Sequence, residues 1–394
     1  MENVITLEEL KEGFKKAFNN EPTYFFSAPG RTELSGNHTD HQHGRVLAAS
    51  INLDNRAAVC LNNTNIINVV SVGHKDISVS LDDLSIKEEE IGTSMALVRG
   101  IVNKFNELGF KVKGFNAYIK SNVKSGSGLS SSAAFEVLVA TIVNTLCNAG
   151  LSAVELAKIG QYSENVYFKK PCGLMDQMAS SVGNAITINF KDNDNPIIEK
   201  IDFDFSKCGY TLCVIDSGAS HADLTNEYAA ITEELKKVCA IFNKKWLVEV
   251  DENEFMSSIN EVREKCGDRA VLRAIHVYSE NERVIEQVNA LKNNDFNKYL
   301  VLMKESGKSS YDYLQNVIPC GNYLKQELAL AIGVSEKILG ENGVCRVHGG
   351  GFAGTLQAFV KDDFVEEFKN KIEKVLGKDT CHILQIVPFG GRQL

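Results

Sequence analysis

Lys124-Ser125-Gly126-Ser127-Gly128-Leu129-Ser130-Ser131-Ser132-Ala133-Ala134-Phe135-Glu136 is the stretch around which this chain is organised. An alternating run, Phe115 to Lys120, precedes it and reads as a strand. Phe135 to Cys147 follows it and is apolar nearly all round, the mark of a buried helix. Gly126 and Gly128 let the backbone take positive φ and approach a ligand closely. Ser130, Ser131 and Ser132 supply hydroxyls at a helix start, where unpaired N–H groups and the helix dipole favour an anion. Strand, glycine–serine loop and helix N-terminus together make a phosphate cradle. The competing reading is a mobile turn capped by serine, but a buried helix directly behind the loop argues against mobility. It is not a P-loop, because Lys124 stands before the glycines. Nor is it a dinucleotide fingerprint, because Ser131 takes the place of the third glycine.

Outward from that loop, a chain of 394 residues is long for one core, so two domains are expected, 1–205 and 206–394, parting between Lys191 and Cys208. A net charge of −9 argues against a nucleic-acid surface and against docking on anionic lipid. It also requires any nucleotide site to concentrate positive potential locally. No run of about 18 apolar residues suggests a membrane span, and Met1 to Lys16 lacks the apolar centre of a secretory signal. The ten cysteines show no Cys-x-x-Cys spacing and read as reduced thiols of a cytoplasmic protein, with no zinc site among them.

Along the chain, Leu7 to Phe18 reads as an amphipathic helix and Tyr24 to Ala28 as a short strand. Ala28 to Gly44 is too polar for a core strand yet is bracketed by apolar strands, the pattern of a loop that binds something. A solvated turn is the plain alternative; His38, Asp40, His41 and His43 lie too close together for a usual metal-ligand spacing. Strands are expected at Val46 to Ala49, Arg56 to Leu61, Ile66 to Val72 and Ile77 to Leu81, then a helix at Ser94 to Leu108. Ser152-Ala153-Val154-Glu155 has the form of a capping box opening a long helix. Glu164 falls on the apolar stripe of that helix, where a carboxylate needs a cation, a proton or hydrogen-bond donors. Asp176 stands between Met175 and Met178, also held from bulk water, or else caps a short helix. The second half alternates strand and helix: a strand at Tyr210 to Ile215, helices at Glu227 to Phe242, Glu252 to Lys265, Asp295 to Ser306 and Leu324 to Leu339. Four glycines between Cys345 and Leu356 imply close backbone approach.

Three separated segments, 28–44, 124–134 and 349–354, resemble in order the motifs of the GHMP small-molecule kinases, whose Gly-Leu-Ser-Ser-Ser-Ala core Gly128 to Ala133 matches throughout. Within that family, Gly30-Arg31-Thr32-Glu33-Leu34-Ser35-Gly36-Asn37-His38-Thr39-Asp40-His41 is similar to the galactokinase segment Gly-Arg-x-Asn-Leu-Ile-Gly-Glu-His-Thr-Asp-Tyr. The resemblance covers about residues 22 to 360. It implies an α+β fold of two domains, an N-terminal ribosomal S5-like domain and a C-terminal ferredoxin-like one, with the active site in the cleft between them. It further implies ATP- and Mg²⁺-dependent phosphorylation of the C1 hydroxyl of galactose, with small-molecule partners only.

Carried over position by position, Asp176 and Arg31 are catalytic; Asn37, His38, Asp40, Gly173 and Tyr228 contact the sugar. Gly126, Gly128, Ser130 and Ser131 hold ATP, and Ser131 or Ser132 with Glu164 hold the metal. The chain departs from the family at Asn37, where galactokinases carry glutamate, and at Glu33, where they carry asparagine. His41-Gln42 resembles the plant galacturonokinases, so a kinase for galacturonate or another galactose-like sugar is the alternative. A non-catalytic sensor on the same fold is a third reading.

Overall fold

The computed structural model describes residues 4–123, 128–219 and 224–394. In chain order its elements are α1 Leu7–Phe18, β1 Tyr24–Ser35, β2 Arg45–Leu61, β3 Ile66–Ser71, β4 Ile77–Ser80, α2 Ser94–Glu107, β5 Phe115–Ser121, α3 Ser131–Leu146, α4 Ala153–Tyr162, α5 Met175–Val182, β6 Ala185–Asn189 and β7 Ile197–Ile201. There follow β8 Tyr210–Asp216, α6 Thr225–Ile241, α7 Glu252–Ser257, α8 Ile259–Cys266, α9 Asp268–Lys292, α10 Phe296–Ser309, α11 Glu327–Leu339, β9 Gly343–His348, β10 Thr355–Lys361, α12 Val365–Leu376, β11 Cys381–Leu384 and β12 Arg392–Gln393. The chain is therefore mixed α+β, as expected.

Its contacts fall into two compact units: Met1–Thr32 with Ala49–Asn184 and Val387–Leu394, and Glu33–Ala48 with Ala185–Ile386. This differs from a single cut near residue 205. The end of β1, the turn after it, the start of β2 and the β6–β7 hairpin belong to the second unit, and the last eight residues to the first. The cause is hydrogen bonding: Phe190 N donates to Gly44 O at 3.0 Å and Thr187 Oγ1 to Val46 O at 3.0 Å, while Leu394 N donates to Phe25 O at 2.8 Å.

In the first unit the strands run in the order β12-β1-β2-β5-β3-β4, β3 and β5 parallel. Helices α2, α3 and α4 cover one face, burying Ile101, Phe105, Val139, Ile142 and Ile159 against Phe26, Val59 and Ile119. Helix α1 covers the other, with Leu10 and Phe14 on Ala58. It is fixed at its start by a Thr6–Glu9 capping box. With both faces covered, β2 buries side chains of either parity and shows no alternation to read. Two strands were expected there and one of 17 residues is found. The polar middle is carried by partners: Asp54 accepts from Ser27 Oγ and from Arg56 Nε, both at 2.7 Å. Strand β1 likewise runs on to Ser35, through polar residues expected to leave the sheet.

In the second unit β8, β9, β10 and β11 form an antiparallel sheet ordered β11-β8-β10-β9. That is the split β-α-β arrangement of a ferredoxin-like domain. Helices α11 and α12 bury Ala331, Leu339, Phe368 and Ile372 on it. A separate core joins α6, α8 and α9 through Leu235, Val238, Val262, Ala274 and Val277. Two expectations fail here. Glu252 to Lys265 is broken at Ser258 into α7 and α8, and α9, at 25 residues the longest helix, had no counterpart in the sequence reading. Its buried face mixes Arg273, His276, Glu280 and Gln287 with its apolar residues, which erases the stripe.

Candidate active site

Within the first unit, Arg31 on β1 and Asp176 in the first turn of α5 form a two-pronged pair. Arg31 Nε donates to Asp176 Oδ1 at 2.7 Å and Nη2 to Oδ2 at 2.9 Å. The remaining guanidinium nitrogen, Nη1, donates to the Gly128 carbonyl at 2.6 Å. Ser130 Oγ donates to Asp176 Oδ2 at 2.5 Å. Strand, serine loop and α5 thus meet at one carboxylate. The scaffold holds them there: Ser180 Oγ on α5 donates to Pro29 O at 2.5 Å, and Arg31 N to Leu129 O at 3.2 Å. Gly30 permits this, since a Cβ there would come within 2.9 Å of Leu129 O.

Arg31 is buried, whereas the Asp176 side chain keeps 35% of its surface open, so the carboxylate is supported from behind and reachable from the front. Burial pushes its pKa up, but the Arg31 charge and hydrogen bonds, with those of Ser130, outweigh that and hold the carboxyl below its ordinary 3.8. Asp176 is ionised at neutral pH. Ser130 takes a left-handed conformation, φ 57°, to point its hydroxyl this way. The sequence reading gave it to phosphate alone and did not foresee the contact, which joins residues distant in the chain. Gly128 is described, with φ +70°; Gly126 lies outside the described residues.

Glu164 sits in a π-helical turn, Ser163–Tyr167, that loosens the end of α4. Its side chain is almost fully buried. Oε1 faces Lys170 Nζ at 3.2 Å and Oε2 accepts from Gln177 Nε2 at 2.9 Å. The same Gln177 nitrogen donates to Glu136 Oε2 at 2.9 Å. Burial first, and then the charge of Glu164, push the Glu136 carboxyl well above its ordinary value. Of the two acids, Glu164 has the cationic neighbour. Mg²⁺ takes oxygen ligands and is often held by one or two carboxylates plus substrate phosphates. A buried carboxylate whose lysine partner is itself 63% exposed, and so displaceable, suits that role. Among the described residues no cluster of three or more His, Cys, Asp or Glu could hold an ion without such help.

Ser131 and Ser132 line one end of a cavity of about 230 Å³ in this unit, walled by Ile77, Leu97, Phe135 and Phe168. A flat apolar group beside the serine loop would fit there. Gly173 lies three residues before Asp176, partly exposed in the segment leading into α5.

In the second unit, the residues expected to meet the sugar gather on the carbonyls of the glycine run. Asn37 Nδ2 donates to Gly349 O at 2.6 Å, His38 Nε2 to Gly350 O at 2.8 Å, and Tyr228 Oη to Gly351 O at 2.7 Å. The glycines are required by this approach: a Cβ on Gly350 would lie 2.7 Å from the Tyr228 ring, and one on Gly351, whose φ is +80°, 2.1 Å from Asn316 O. Burial, with the charge of His41 next, lowers His38 to about 4. Burial raises Tyr228 to about 12. Both are neutral at pH 7.

Asn37 is placed differently from the direct sugar contact expected of it. It is fully buried, and its Oδ1 accepts from Asn316 Nδ2 at 2.8 Å and Ser310 Oγ at 3.2 Å. Its second N–H goes to Glu33 Oε1 at 3.2 Å. Both lone pairs and both hydrogens are in use. Glu33 in turn pairs with the buried Arg346 at 3.1 Å. Asp40, at the start of a short 3₁₀ turn, remains partly exposed, with Oδ1 accepting from His41 N. Glu33 stood out in the sequence only as a departure from the family, and Arg346, Asn316 and Ser310 did not; the exchange of acid and amide at 33 and 37 was the available signal.

Two family models match the chain: the GHMP kinases N terminal domain at residues 96–184 and the galactokinase galactose-binding signature at 12–61. A galactokinase of Glaesserella parasuis is 32% identical over 377 residues, covering 93% of each chain. That of Bacillus subtilis is 28% identical over 380 residues, covering 93% of this chain and 92% of its own. Among solved structures, a Lactococcus lactis galactokinase complexed with galactose superposes with a TM-score of 0.84 at 25% identity, over 98% of this chain and 100% of that one. A mevalonate kinase at 16% identity and TM-score 0.66 shares the fold. Identity at this level across nearly the whole of both chains places the protein in the galactokinase family of the GHMP kinases.

Proposed function

We propose that the protein transfers the γ-phosphoryl group of ATP to the C1 hydroxyl of galactose. The observation that carries this reading is the Arg31–Asp176 fork joined to the serine loop through Ser130 and Gly128. Asp176 orients the anomeric hydroxyl and accepts its proton. Arg31 keeps that carboxylate ionised and faces the charge that gathers on the transferring group. A carboxylate held below 3.8 is a weak base. That suits phosphoryl transfer, where positioning and charge stabilisation matter more than early proton removal.

Gly126, Gly128, Ser130 and Ser131 hold the phosphates at the start of α3, and the cavity behind Ser131 takes the adenine. Ser131 or Ser132 with Glu164 hold Mg²⁺, which neutralises phosphate charge when bound. His38, Asp40, Gly173 and Tyr228 meet the sugar, and Asn37 fixes the glycine run to which His38 and Tyr228 also bond. The rival acceptor, galacturonate, is favoured by His41-Gln42 and by the loss of a glutamate at 37; Glu33, in contact with Asn37, keeps one carboxylate in the segment. The ten free thiols and the need for ATP fit a cytoplasmic setting. Among the described residues no helix is long and apolar enough to cross a membrane.

The test is an initial-rate comparison of galactose, galacturonate, N-acetylgalactosamine and arabinose with ATP and Mg²⁺. Galactose is expected to give the highest kcat/KM. A higher value for galacturonate would overturn the assignment of the acceptor, and no turnover with any sugar would overturn the assignment of the reaction.

A further inference from the structure

Helix α9 carries three polar side chains that reach the segment Ser35–Arg45. Glu280 Oε1 accepts from Gly36 N at 3.1 Å, from Asn37 N at 3.4 Å and from Ser35 Oγ at 3.5 Å. One turn earlier, His276 Nε2 donates to Asn37 O at 2.9 Å, its Nδ1 meeting Ser309 Oγ at 2.9 Å. One residue later, Asn281 Oδ1 accepts from Arg45 N at 2.7 Å. Residue 37 is therefore gripped by both its N–H and its C=O, and the far end of the loop by its N–H, all from one helix.

A carboxylate is the right group for this grip. Successive N–H groups at 36 and 37 converge on one point, the geometry of a backbone nest that binds an anion. Gly36, with φ +92°, makes that turn possible. Glu280 is fully buried, and its charge is met by Arg283 on Oε2 and by Ser306 Oγ, which donates to Oε1 at 2.7 Å. The buried acid thus fills, from within the protein, a place that would otherwise take an external anion or water. Immediately after the gripped residue comes His38, in the left-handed region at φ 63°, and then Asp40. Their direction follows from where residues 36 and 37 are held.

We propose that Glu280, assisted by His276 and Asn281, is the positioning residue for sugar recognition, setting the loop from which His38 and Asp40 act. It touches neither sugar nor nucleotide. The inference rests on the sugar reading given above, and the test separates the two.

Glu280→Gln keeps the volume but removes the charge and turns one acceptor into a donor facing Arg283. With the wild-type enzyme's best sugar as acceptor, whichever it proves to be, the variant is expected to raise the KM for sugar tenfold or more. The KM for ATP should stay within about twofold and kcat within about threefold. Hydrogen exchange should accelerate at the amides of Gly36 and Asn37. An unchanged sugar KM in folded Glu280→Gln, or equal rises in both KM values, would overturn the proposal. Should that variant fail to fold, Asn281→Ala removes only the grip on Arg45. It is expected to raise the sugar KM about threefold or more with the ATP KM unmoved, and no change would be equally fatal. Failure of the wild type to use galactose would sink the acceptor assignment and leave this comparison intact.

Discussion

At the scale of single residues the proposed chemistry depends on one carboxylate kept charged in a partly sheltered place. Asp176→Asn leaves a group of the same shape that cannot accept a proton or balance Arg31. We expect kcat to fall by about 10³-fold or more while ATP affinity, read by calorimetry, stays within about threefold. Retention of a tenth of wild-type turnover would remove Asp176 from the mechanism. Asn37→Glu sets a second carboxylate beside Glu33 and takes away two donors in a fully buried place, a change that costs about 3–5 kcal/mol when a buried charge lacks a partner. Making Glu33→Asn in the same chain restores one acid and one amide. The double variant should unfold at a higher temperature than Asn37→Glu alone, and additive losses would mean the two residues are independent. Arg31 and Asp176 were legible as residues because short motifs surround them. The Ser130 contact was not, because nothing in a linear sequence measures the approach of residues 46 positions apart.

Among elements, the readable ones bury a single apolar stripe or alternate in polarity. Helix α1 is legible with its observed bounds, and α3 in outline. Helix α9 was lost because its inner face is built of Arg273, His276, Glu280 and Gln287 among alanines and valines. Such a helix shows no clean apolar stripe, yet two of those four residues, His276 and Glu280, hold the backbone of residues 36 and 37. The extension of β1 to Ser35 escaped notice for a related reason, its polar residues being paired inside the fold. The glycine run was read as close backbone approach, and the carbonyl contacts of Asn37, His38 and Tyr228 supply the partners. Gly351→Ala should test how little tolerance remains there. With φ at +80° and Asn316 O at 2.1 Å from the added Cβ, we expect a loss of about 2–4 kcal/mol in urea unfolding. A loss under about 0.5 kcal/mol would show that the run can shift.

For the molecule as a whole, acid stability offers a readout of the buried histidines. Burial lowers His38 from an ordinary 6.5 to about 4 and lowers His276 as well. Between those values the unfolded chain binds more protons than the folded one, so this contribution is complete above about 6.5 and is lost as pH falls toward 4. The depressed Asp176 and Glu280, the latter brought to about 2 against the penalty of burial by His276 and then by Arg283, Arg346 and Ser306, give way only at lower pH. Unfolding free energy should decline between pH 6.5 and 4, and His38→Gln should flatten part of that decline. A profile level down to pH 4 would contradict it. Length leads to an expectation of two parts, and the chain passes between its two contact units after Thr32, Ala48, Asn184 and Ile386, where composition does not change.

Val387–Leu394 ends the first unit from the far end of the sequence. Gln393 pairs with Phe26 and Val387 N donates to Ser50 O at 3.0 Å, while Gly390 packs so tightly on Ser181 of α5 that an added Cβ would lie 1.9 Å from its carbonyl oxygen. A ribosome reading this message makes the helix bearing Asp176 early and its last neighbours only after all of Ala185–Ile386 has emerged. Vectorial synthesis therefore cannot finish the first unit first. A nascent chain stalled before residue 387 would carry Asp176 on an unsealed scaffold.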